Sequence, residues 1–170
     1  MRDPWPALSY PDFAATQHLL HMVLQAVGKL KLKEPFEPQW GEVPLWLSSR
    51  GLATGPISYS GGAYEVTVDL ISHQVGCATS WGSSGHCDLA PMSVAEFVEQ
   101  LFDILRKAGV NVSINLKPQE VPNAIPFDED AQPRPYDTIL VNAWWRILLS
   151  TQRVMQSSAD ASRARHSLFA

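Results

Sequence analysis

The sequence contains two cysteines, Cys77 and Cys87, too few for a disulfide framework, and we read both as reduced thiols. No apolar run approaches the roughly 18 residues needed to cross a bilayer, and the opening, MRDPWPALSYPDF, lacks the apolar stretch of a secretory signal. These absences point to the cytoplasm and away from a membrane. Basic charge is sparse as well. The 13 Lys and Arg are nowhere clustered and are outnumbered by 17 Asp and Glu, giving a net charge of −4. A chain that gains affinity by neutralising phosphates needs the reverse, so nucleic acid is not an expected partner. No internal repeat is visible. There is no phosphate loop, because Gly61-Gly62 stands between strand-like runs rather than before a helix. Nor is there a nucleophile elbow, since SWGSSGH lacks the strand-to-helix setting.

What is present suits one domain: 170 residues with 45% hydrophobic content can bury a core without staples. Phe13, Leu20, Val23, Leu24 and Val27 recur at helical spacing, with Pro11 suited to a first turn, and predict a helix over about 11–27. Leu30–Leu32 alternates like a short edge strand. From Trp40 to His73 the chain reads as strand, Gly/Pro corner, short strand, tight turn and long strand. Val43, Leu45 and Leu47 alternate, as do Tyr64, Val66, Val68 and Leu70. Gly61-Gly62 signals a hairpin between segments near 56–60 and 63–71, and Val75–Ser80 with His86–Leu89 suggests a second. Ser93 followed by Glu96 is a capping-box pattern ahead of an apolar stripe from Val94 to Ala108, and Val110–Leu116 alternates cleanly enough to predict another strand. Lys117–Pro135 carries five prolines around Asp128-Glu129-Asp130 and reads as an extended surface loop. Tyr136–Gln156 reads as a helix apolar around most of its circumference, and residues 157–170 as a disordered tail. The expected fold is α+β: a mainly antiparallel sheet of about five to six strands, with about three helices packed largely on one face, in a single domain over 1–156.

Several clusters have the right residue types for chemistry. His73, Cys77, His86 and Cys87 are soft metal ligands, but their spacing fits no zinc ribbon or finger. Residues 86 and 87 also point to opposite faces of a strand, so no metal and no cofactor is expected. Asp128, Glu129 and Asp130, with Asp69 and His73, supply carboxylates and an imidazole for acid/base work or ligand binding; the bland alternative is a solvated loop. Trp46 and Arg50 share strand parity and would grip an anion or planar ligand, unless a helix covers that face and Arg50 is paired. Arg50 is expected to pair with the 128–130 run, the most concentrated acidic stretch nearby in composition.

WPALSYPDF, the run from His18-Leu19 to Val27-Gly28-Lys29, VPLWLSSRGLATGPISY and above all EVPNAIPFDEDAQPRPYD resemble a bacterial family known as domain of unknown function 5996, over about residues 4–156. Lys29, Arg50, Gly51, Asp69, His73, Pro126, Asp128, Glu129 and Asp130 stand where the family pattern has the same residue type. Cys77 and Cys87 do not. Around Trp40 the family shows a second tryptophan and flanking histidines, where this chain has Gln39, Gly41 and Glu42. The resemblance also implies a longer template, of which this chain is the N-terminal part. It brings no activity or cofactor with it. The expected function is a non-catalytic module binding a small ligand or a protein, the alternative a hydrolase or isomerase using Asp128 or Glu129 with His73. Self-association or a partner protein is expected through Trp144, Trp145 and Leu149, on a face of the last helix that has no partner within this chain.

Overall fold

The computed structural model describes residues 3–35, 38 and 43–167. Alternating Tyr64, Val66 and Val68 build β4 (Gly62–Asp69), the longest strand of a six-stranded antiparallel sheet. β2 (Gly51–Ala53) and β3 (Ile57–Tyr59) pair with the two ends of β4 along one edge, and β5 (Gln74–Thr79) pairs along the other. β1 (Trp46–Leu47) joins β2, and β6 (Ser84–Asp88) joins β5, for the order β1-β2-β4-β5-β6 with β3 beside β4. The fold is α+β, with helices α1 (Tyr10–Leu30), α2 (Val94–Lys107) and α3 (Thr138–Ser167).

The core lies between one sheet face and the helices. Val66, Val68, Val75 and Cys77 meet Leu19, Val23 and Val27 of α1, Phe97, Leu101 and Leu105 of α2, and Val141 and Trp145 of α3 in a single buried cluster. The opposite parity, Thr67, Ala78, Ser84, His86 and Asp88, is exposed. Both cysteines are buried and free, and burial pushes their thiols up, Cys87 to about 11. The capping box is formed in full: Glu96 N–H donates to Ser93 Oγ at 3.1 Å, and Ser93 N–H to Glu96 Oε2 at 2.7 Å.

Five expectations are corrected. The β3–β4 turn is Ser60-Gly61, both at positive φ, because Gly62 already pairs with Tyr59. Lys31–Lys33 is a 3-10 turn extending α1, not an edge strand, and α1 continues through Gly28 to Leu30. The strand expected from Val43 is only Trp46–Leu47; Trp40 lies outside the described residues. Val110–Leu116 alternates in burial but forms no ladder, since no strand among the described residues lies beside it. The last helix runs to Ser167, past the Gln156 boundary.

Candidate functional site

Arg50 and Asp69 are brought together by strand register. Gly51 pairs with Asp69, and a Cβ at position 51 would lie 2.0 Å from the Val68 carbonyl oxygen, so only glycine allows this approach. Arg50 Nε then donates to Asp69 Oδ2 at 2.5 Å, while Asp69 Oδ1 accepts from the amides of Ile71 and Ser72 at 2.8 Å each. Burial alone would raise the Asp69 carboxyl. The bonds from Arg50, Ser72 and Ile71 outweigh that and hold it below its ordinary value. The partner of Arg50 is therefore Asp69 and not the 128–130 run.

The turn that Asp69 anchors ends at His73, in the left-handed region at φ 56°. Its Nδ1 is 3.1 Å from the Tyr136 hydroxyl, and burial lowers its pKa against the opposing pull of Asp69. Trp46 is exposed and stacks near Lys31 Nζ, 5.3 Å from the ring centroid, rather than sharing a strand face with Arg50. The acidic run splits. Asp128 and Glu129 are exposed, and no hydrogen bond or ion pair among the described residues joins either to His73 or Arg50. Asp130 is buried, and Arg134 Nη2 donates to both its oxygens at 2.9 and 3.1 Å. His18 Nε2 stands 3.8 Å from the same carboxylate. Among the described residues no three His, Cys, Asp or Glu side chains converge as a metal site requires.

The least expected group is Lys29. The last turns of α1 face the proline-rich loop, and Gln25 is hydrogen-bonded to the backbone of Gln119 through both ends of its amide. Beneath that tie Lys29 is buried, 6% exposed. Its Nζ has no hydrogen-bond partner among the described residues and lies 6.0 Å from the Phe127 ring centroid. Burial lowers its pKa. The side chain lines a cavity of about 280 Å³ together with Gln25, Gly28, Leu32, Val43, Gln119 and Glu120. A lysine directly after a helix-ending glycine reads from sequence as a surface charge complementing the helix dipole, and only the loop folded over it reveals the burial.

Residues 5–167 match the model of a family described as a family of unknown function, DUF5996. The chain belongs to the DUF5996 family. No curated protein and no solved structure matches it. The DUF5996 match takes in every strand and helix described above, with Lys29, Arg50, Asp69, His73 and the 128–130 run inside it. No helix among the described residues is long and apolar enough to cross a membrane.

Trp145 is 6% exposed and belongs to the core, where Val141 and Ala143 are buried beside it. Trp144 is half-buried against α1, lining a small cavity with Phe13, Leu20 and Leu24, and Leu149 is half-buried. Among the described side chains of α3, the large apolar ones that are exposed are instead Ile139, Val154 and Met155.

Proposed function

We propose that the chain is a small-ligand-binding module whose ligand places an acidic group on Lys29. The observation that carries this reading is the buried Lys29 amine, which has no hydrogen-bond partner among the described residues, at the wall of a cavity. An ammonium removed from water costs several kcal/mol unless a counter-charge meets it, and an acidic ligand supplies one. The cavity, at about 280 Å³, suits a molecule of a few heavy atoms. Glu120 on the same wall favours a second, hydrogen-donating end. The ligand class is thus a small hydroxy or amino acid.

Thermal unfolding in the presence of lactate, glycine, alanine, acetate and inorganic phosphate, with wild type beside Lys29→Met, tests the reading. Concentration-dependent stabilisation of wild type by one of the bifunctional acids, absent in Lys29→Met, is the expected result. Equal shifts in both proteins, or none in wild type, would overturn it.

A further inference from the structure

We propose that two copies of the chain join along residues 110–116, each segment forming an antiparallel ladder with its twin about a two-fold axis at Ser113. This surface is separate from the Lys29 cavity, and the proposal does not depend on it.

The segment has the form of a strand without a neighbour. Val110 is buried, Val112, Ile114 and Leu116 are half-buried toward the protein, and Asn111, Ser113 and Asn115 are exposed. Its ends are tied. Val110 N–H donates to the Leu105 carbonyl at 2.8 Å, Asn111 N–H to the Tyr59 hydroxyl at 2.9 Å, and the Leu116 carbonyl accepts from Phe127 N–H at 2.9 Å. Between the ties, the amides and carbonyls of Val112–Asn115 have no protein partner among the described residues. A free edge of this kind is a template for another strand, and native proteins ordinarily blunt it with lysine, proline or a bulge. Here the first lysine and proline are Lys117 and Pro118, beyond the free stretch.

The surroundings select the occupant. The segment runs back along α2, and hollows of about 510 and 490 Å³ flank it, both lined by Phe102 and Leu116. Arg106 stands at the end near Val110, whereas Glu99 and Asp128 stand at the end near Leu116. An antiparallel twin reverses that order, so the Arg106 of each copy comes beside the acidic end of the other, as an isologous interface demands. Arg106 is 60% exposed, and its intrachain partner Asp103 is 3.9 Å away and already held by Lys107 at 2.6 Å, so it is free to make the intermolecular pair.

Sedimentation velocity on the full chain, from low to high micromolar concentration, tests the proposal with Ser113→Lys and Arg106→Glu as variants and thermal melts as the control on folding. Wild type should show a concentration-dependent dimer. Ser113→Lys sets two like charges opposite each other at the axis and should weaken the dimer by about tenfold or more, with Arg106→Glu weakening it too and both melts unchanged. A wild type that remains monomeric throughout, including one that binds only an extended peptide here, overturns the proposal. So does a dimer indifferent to both substitutions.

Discussion

Gln25 holds Gln119 at two points: its Nε2 donates to the Gln119 carbonyl at 2.7 Å, and its Oε1 accepts from the Gln119 amide at 2.9 Å. A side-chain amide here does the work of a neighbouring strand, fastening the proline-rich loop to α1 above Lys29. Gln25→Ala removes both bonds and should cost about 1–2 kcal/mol by chemical denaturation. Hydrogen exchange at the Gln119 amide should accelerate more than the global loss accounts for, because the loop opens first. Unchanged exchange there would mean the prolines alone hold the loop.

Arg50 and Asp69 contribute unequally to their pair. The Arg50 side chain is 56% exposed, so Arg50→Ala should cost about 1 kcal/mol or less. Asp69 also accepts two turn amides, and Asp69→Ala should cost more than Arg50→Ala. Asp69→Asn retains an acceptor for the turn and should fall between them. Urea midpoints for the three variants give the order.

Acid should destabilise the fold from near neutrality downward. Burial lowers the pKa of His18 and of His73 below the ordinary 6.5, so the unfolded chain takes up protons at these sites more readily than the folded one. Their contribution is complete above about pH 6.5 and is lost as pH falls through the folded values. Asp69, also depressed, adds a further loss in stronger acid. Urea midpoints between pH 7 and pH 5 should decline in wild type. The decline should flatten in the double variant His18→Gln, His73→Asn, asparagine being among the non-glycine residues most at ease at the positive φ of position 73. A slope unchanged by that variant would assign the titration to other groups.

Two apolar residues of α3 should respond oppositely to substitution. Trp145→Ala empties a core position and should cost about 3–5 kcal/mol, whereas Ile139→Glu, at a side chain 77% exposed, should stay within about 0.5 kcal/mol. Thermal melts distinguish them directly. The first result would show that truncating Trp145 unsettles the core itself, so a substitution there reports on folding.

Local signals were legible where the interactions they announce are themselves local. Ser93 and Glu96 are three residues apart and satisfy each other's helix-end groups without help from the rest of the chain, so α2 begins where its capping box stands. The β3–β4 hairpin is similarly self-contained, needing only two residues able to adopt positive φ at Ser60-Gly61. Alternation at Tyr64, Val66 and Val68 names the buried face of β4 because side-chain parity is a property of a single strand. The α+β class follows from those patterns.

Tertiary structure decided what depends on a partner distant in sequence. Val110–Leu116 has a strand's parity, yet a strand also requires a ladder, and no periodicity reveals whether one lies alongside. The ion pair of Arg50 was set by the register of β2 against β4, which delivers Asp69 before the 128–130 run can compete. Trp145 is enclosed because the core closes around α3, and Lys29 is buried because the loop fastened by Gln25 folds over the end of α1. Burial and charge pairing are sums over neighbours in space. The sequence specifies each residue's chemistry and local parity, while the packing of helices and loop against the sheet determines which of those residues meet.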